Sequence, residues 1–372
     1  MTEEKIFQLA LSFVPGIGNV FNKQLISYLG SAKSVFQAKP AKLKNVPGVG
    51  PRLLNVFKET NLTSLIDRAE KEFVRAVKEN VSILHFTDKE YPDRLKRILD
   101  APSVLYYKGS ANLNKKKIVS IVGTRQATDY GKEAVAMIVE GLKAHHVQVI
   151  SGLAYGIDIC AHKTALHCGL ETIGVMASGI NIIYPSVHKH VAAQMIGNGG
   201  LITERKFDEK PDTHNFPARN RIIAGMSDAV LVIEAAVRGG ALITAELAND
   251  YNKDVFAVPG DLDRHYSAGC NNLIKNHKAH ILTSVKDIEY ILNWSASELV
   301  PEVKHPDFYS PEDFNESELK VIETLTHSGK EALIDDLSWK SQIPMNQLAG
   351  LLLNLEFKGV IKSLPGKKFK LV

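Results

Sequence analysis

The chain has 372 residues, 45% hydrophobic and 23% charged, with a formal net charge of +4. That suits a soluble globular protein of two or three domains, and no run approaches the roughly 18 apolar residues a membrane span needs. The mild positive charge permits a polyanionic partner only where basic residues are concentrated at a site. Three cysteines, Cys160, Cys168 and Cys270, without a C-x-x-C, argue for a reducing cytoplasm and against a zinc site. The opening "MTEEKIFQLA" has acids where a secretory signal has bases, so no export is expected.

Residues 1–75 read as a domain of short helices. Two near-copies, "VPGIGNVFNKQLISYLG" from Val14 and "VPGVGPRLLNVFKET" from Val46, each set a Pro-Gly-x-Gly turn before apolar residues at helical spacing. The pattern is similar to a helix-hairpin-helix or SAM-like unit. Its glycines either bring backbone N–H groups to a DNA phosphate or serve only as tight turns.

Residues 80–290 alternate short apolar runs with amphipathic stretches. "SIVG", "VQVIS", "TIGVM", "GLITE", "AVLVIEA" and "DVFAVPG" are expected strands, with "ILHF" and "SVLYYKG" as edge strands or an entry segment. Helices are expected near residues 130–145, 157–168, 188–196 and 241–251. The result is an α/β fold, a Rossmann-like, doubly wound, mostly parallel sheet. A linker at 291–312 leads to residues 313–372. There three helices, the third with Leu348, Leu351, Leu352 and Leu355 on one stripe, precede a hairpin turning at Pro365-Gly366, which spells a winged helix. Its third helix has little basic charge, so DNA contact and partner binding both stay open.

Ligands of such sheets sit beyond the carboxyl ends of the strands. The tips there carry Gly123-Thr124-Arg125, then Ser151-Gly152, then "NFPARNRIIAG" with Phe216, Arg219, Asn220 and Arg221, and finally Arg238-Gly239-Gly240 with Thr244. Glycines let backbone approach an oxygen and arginine grips two phosphate oxygens, so this rim suits phosphate. The G-x-G-x-x-G and Gly-Lys-Ser/Thr fingerprints are missing, as are G-x-S-x-G and H-E-x-x-H. Phe216, placed in a polar loop, is either a stacking platform for a base or a core plug. Asp158 reads as a helix cap, and His162 and His167 as helix-surface residues. No metal and no cofactor are expected.

The ordered stretches "IVGTRQATDYG", "SGLAYGIDICAHKTAL", "GVMASGINIIYP", "NFPARNRIIAGMSDAVLVIEA", "GGALITAELA" and "DVFAVPGDLD" resemble the DNA-processing protein A (DprA, or Smf) family. The likeness covers essentially the whole chain. It implies a single-stranded DNA-binding recombination mediator, not an enzyme. Such a protein dimerises through the Rossmann-like domain, protects incoming DNA and loads RecA onto it in natural transformation. It also implies DNA contacts from Arg125, Phe216, Arg219 and Arg221, on a cytoplasmic protein without membrane attachment. One departure is "DTHNF", where many relatives have a basic residue before the phenylalanine; Lys206 or Lys210 would have to substitute. The competing reading is a Rossmann-like nucleotide phosphoribohydrolase, whose Pro-Gly-Gly-x-Gly-Thr loop resembles Arg238–Thr244 without its proline and third glycine.

Overall fold

The computed structural model describes residues 3–294, 314–327, 331–364 and 366–371. Two compact units result, Met1–Ser297 and Glu298–Val372.

The first unit is built on a nine-stranded sheet: β1 (Ser82–His85), β2 (Val104–Gly109), β3 (Ile118–Val122), β4 (Gln148–Ser151), β5 (Thr172–Val175), β6 (Gly199–Thr203), β7 (Ala229–Val232), β8 (Asp254–Ala257) and β9 (His280–Ile281). Their order is β1-β2-β6-β5-β4-β3-β7-β8-β9. From β6 to β9 every pairing is parallel, while β1 and β2 add an antiparallel edge. β3, β4, β5 and β7 are buried along their whole length, which is why they read as unbroken apolar runs. The chain winds outward from β3 to β6, then returns to place β7 beside β3. The switch point of this doubly wound sheet therefore lies between the carboxyl ends of β3 and β7. The two-residue edge strand β9 is too short to announce itself by alternation.

The N-terminal helices belong to the same unit. Leu9, Phe13, Phe73 and Ala76 share one apolar cluster with Ile83, Val104, Tyr106 and Met195. Both Pro-Gly-x-Gly turns form as expected. Gly16 and Gly48 take positive φ, and Gly18 and Gly50 cap helices Asn19–Leu29 and Pro51–Glu59. A Cβ on Gly48 would lie 2.9 Å from the Phe21 ring, so that turn also needs the space. The first turn docks on the sheet. Asn19 Oδ1 accepts from the Ser103 backbone N–H at 3.0 Å and hydroxyl at 3.1 Å.

The second unit is a winged helix. Helices Glu316–His327, Ile334–Ser341 and Met345–Phe357 pack through Val321, Leu325, Leu337, Leu348, Leu352 and Leu355. Strands β10 (Glu331–Leu333), β11 (Ile361–Leu364) and β12 (Lys368–Leu371) form a sheet ordered β10-β12-β11.

Candidate functional site

Beyond the β3 and β7 ends lies an open cleft of about 600 Å³. Its lining includes Gly123, Thr124, Arg125, Phe216, Arg219, Asn220, Gly239, Gly240 and Thr244. With Arg238, ten of the thirteen rim residues named from the sequence therefore converge there.

The β3 loop is held in place before any ligand arrives. The Thr124 N–H donates to the Glu234 carbonyl at 2.7 Å, and the Thr124 carbonyl accepts from the Ile157 N–H at 3.1 Å. The buried Glu234 carboxylate accepts from the Thr128 N–H at 3.0 Å and hydroxyl at 2.6 Å. Gly131 leaves room for it, because a Cβ there would lie 2.2 Å from Glu234 Oε2. Gly156, at positive φ, lets the next loop pass over the Thr124 carbonyl, 2.2 Å from where its Cβ would be.

Arg125 is exposed on this fixed loop, with its guanidinium 5.5 Å from the centre of the Phe216 ring. Tyr184 flanks the same ring, centroid to centroid 5.9 Å. Phe216 is half-buried and separates the main cleft from an apolar recess of about 70 Å³ that includes Leu153, Met176 and Pro185. It does not stand in a loop, however. Helix Asn215–Met226 begins one residue earlier, with Pro217 in its first turn, where a missing N–H costs nothing.

The other expected contacts sort by geometry. Arg219 is 7% exposed and donates to the Val175 carbonyl, so it forms the cleft floor. Its guanidinium and the Asp158 carboxylate both occupy the space above Gly152, where a Cβ would lie 2.6 Å from Arg219 Nη1 and 2.3 Å from Asp158 Oδ2. Burial pushes the Asp158 carboxyl above its ordinary value, against the pull of Arg219, and burial lowers Arg219 in turn. Asp158 is thus more than a helix cap. Asn220 and Thr244 bond to the Gly240 carbonyl at 3.2 and 3.1 Å, tying the two helices that flank the cleft.

Three of the expected contacts, Ser151, Gly152 and Arg221, do not line the cleft. The Ser151 hydroxyl is buried and donates to the Ile121 carbonyl at 2.6 Å, so it faces the sheet. Gly152 makes room for the Asp158 and Arg219 side chains and does not line the cleft. Arg221 turns away from the cleft to pair with Glu204 and donates to the Asp100 carbonyl at 2.7 Å. Lys206 does not substitute for a cation before Phe216 either; its ammonium sits 4.4 Å from the Phe13 ring, under the N-terminal helices. His162 is fully buried, not on a helix surface. Its ring bonds the Gly152 carbonyl at 2.6 Å and the Thr172 hydroxyl at 2.7 Å, and burial lowers its pKa to about 4.

Residue patterns alone assign no role to Glu234 or Tyr184. An acid closing a wholly apolar strand is the signal for the first. Arg238 is visible beside Gly239; it is exposed on the cleft wall opposite the β3 loop and makes no ion pair among the described residues. Among those residues, no group of three or more His, Cys, Asp and Glu side chains could hold a metal, and no helix is long and apolar enough to cross a membrane.

Known proteins share this fold. The sequence pattern of the DNA recombination-mediator protein A family matches residues 82–293, and that of the DprA winged helix domain matches 310–367. Protein Smf of Synechocystis is 31% identical, over 99% of this chain and 98% of its own. The X-ray structure of DNA processing protein A from Streptococcus pneumoniae superposes with a TM-score of 0.65 at 31% identity, over 78% of this chain and 98% of that one. DNA processing protein A from Helicobacter pylori, described for its single-stranded DNA binding mode, gives 0.52 at 29% identity, over 57% and 95%. With the matched segment spanning the whole sheet and both walls of the cleft, this chain belongs to the DNA recombination-mediator protein A (DprA/Smf) family.

Proposed function

We propose that the cleft holds a single DNA strand, and that the protein is a cytoplasmic mediator which protects incoming DNA and passes it to RecA in natural transformation. The observation that carries this reading is the Arg125–Phe216–Tyr184 cluster at the mouth of a glycine-lined cleft. A ring with a cation on one side offers a base a stacking face and its phosphate a charge. Arg238 and the Gly239–Gly240 turn supply the opposite wall, where a backbone can approach closely. Arg219 supports the floor without reaching the solvent. The site binds and releases its strand unchanged; base and phosphate both leave as they came.

One such cleft spans only a few nucleotides, so a homodimer through the Rossmann-like domain would hold a longer strand across two sites. Residues 1–75, 80–290 and 313–372 would act as helical, DNA-binding and winged domains, joined by the 291–312 linker.

The test is fluorescence anisotropy of a labelled oligothymidine with the full chain, followed by RecA ATP hydrolysis on the same strand. Tight single-strand binding that shortens the RecA lag is expected. Binding without any effect on RecA would reduce the reading to a single-strand binder, and absence of binding would remove it.

A further inference from the structure

The winged unit segregates its charge. From Phe314 to Val372 the sequence has eight lysines and seven acids, so the segment is nearly neutral. Yet four of those lysines, Lys362, Lys367, Lys368 and Lys370, and none of the acids, fall on the β11–β12 hairpin. The alternation of the strands puts Phe369 and Leu371 against the core with Ile361, and leaves Lys362, Lys368 and Lys370 on the outer face. In the ladder Lys362 stands directly opposite Lys370. Two like charges in that position oppose pairing, so the fold gains nothing from them. Lys362, Lys367 and Lys370 make no ion pair among the described residues. Glu331 stands opposite Lys370 in the register on the other side, which still leaves the row with excess positive charge.

The third helix, Met345–Phe357, differs in character. Its solvent side carries Asn346, Gln347, Ala349, Gly350, Leu353, Asn354 and Phe357 and no cation. The guanidinium or ammonium donors that most often read guanine are therefore missing from the element that winged helices place in the major groove.

We propose that the hairpin is a second nucleic-acid site, one that holds the sugar-phosphate backbone of duplex DNA through Lys362, Lys367, Lys368 and Lys370, without reading sequence. It takes from the single-strand reading only that the protein works on DNA, and the site itself is separate from the cleft. Contacts of this kind position a protein on DNA and specify no bases. They release counterions, so their signature is salt dependence.

The experiment measures binding of the full chain to a blunt duplex of mixed sequence, about 30 base pairs long, across a salt series. K362E/K370E is expected to weaken duplex binding by about tenfold or more and to flatten the log–log salt slope by about 0.9 for each phosphate no longer neutralised. Single-strand binding should stay within about twofold, since Arg125 and Phe216 are untouched. K362Q/K370Q, which removes charge without reversing it, should show a smaller loss in the same direction. Duplex affinity and slope unchanged in a variant of native melting temperature would overturn the proposal. So would a wild-type chain that binds no duplex, or a wing that binds phosphatidylserine vesicles and leaves the duplex free. Arg125→Ala separates the two readings. It should lower single-strand binding and spare duplex binding, and an unaffected single strand would count against the cleft while leaving the wing untouched.

Discussion

The guanidinium of Arg125 lies 5.5 Å from the centre of the Phe216 ring, with the two side chains reaching the cleft from different elements. Arg125 comes from the loop after β3 and Phe216 from the first turn of helix Asn215–Met226. Their contact pairs a group that can hold a phosphate with one that can stack a base. Removing either should therefore cost single-strand affinity, Arg125→Ala and Phe216→Ala by about 1–3 kcal/mol each. Because they touch, the double variant should lose less than the sum. Anisotropy titrations of both single variants and the double variant measure this; strict additivity would mean that the pair does not act as one surface.

Arg238 should behave as a phosphate contact. Arg238→Ala is expected to make the single-strand salt slope shallower by about 0.7, with a melting temperature that hardly moves. Titration at two or more salt concentrations reads both.

Arg221 should behave oppositely. Its side chain and that of Glu204 are each 12% exposed, so Arg221→Ala leaves a largely buried carboxylate with only Arg205 at 3.8 Å and Asn19 Nδ2 at 3.4 Å. A loss of about 3 kcal/mol in stability is expected, with the single-strand affinity of the folded fraction unchanged. Chemical denaturation and anisotropy on the same preparation check it.

Gly152→Ala tests the cleft floor. The added methyl would meet Asp158 and Arg219 together, so the variant should lose about 1–3 kcal/mol of stability and bind more weakly, because Arg219 carries the floor under Phe216. Gly239→Ala is the contrast: nothing lies within 4 Å of that position, and stability should be preserved.

Acid should unfold the first unit through His162. Its pKa falls from 6.5 to about 4 on folding because the ring is buried. The unfolded chain therefore binds more protons between those values, and stability declines as pH drops through that window. The slope is at most about 1.4 kcal/mol per pH unit for one proton. Buried His85, also lowered to about 4, adds to the same trend. Denaturation midpoints from pH 7 to 4 should show the decline, and His162→Asn should flatten it.

The glycine tips are legible in the sequence because a βα turn at a switch point asks for small residues wherever backbone must pass close. Gly123 follows from that rule, since a Cβ there would lie 2.5 Å from Ile157 Cγ1, whereas a Cβ on Gly239 or Gly240 would meet nothing closer than 3.8 Å, and these two are legible only as the turn that opens the next helix. The "NFPARNR" segment is not, since Pro217 and the polar residues before it disguise a helix start as a loop. Once the helix is recognised, its period separates the residues: Phe216, Arg219 and Asn220 share one side, while Arg221 falls on the far side. Burial is equally hidden. Nothing in "AVLVIEA" says that its glutamate turns inward to pin residues 124–128, and His162 looks like any polar residue of a half-exposed helix. The two-residue strand β9 carries no period at all.

The helix Asn215–Met226 works as a strut. Phe216 forms its tip at the cleft, and about one and a half turns on, on the far side, Arg221 is bolted to Glu204 at the end of β6. The same carboxylate receives Asn19 Nδ2 at 3.4 Å, at the head of the first N-terminal turn. If the cleft holds a DNA strand as proposed, tension on that strand would pull on Phe216. That tension would run down the strut into Glu204 and be shared with the N-terminal lobe, which is seated on Ser103. The lobe would then serve as an anchor block, holding the Phe216 ring in place under that load.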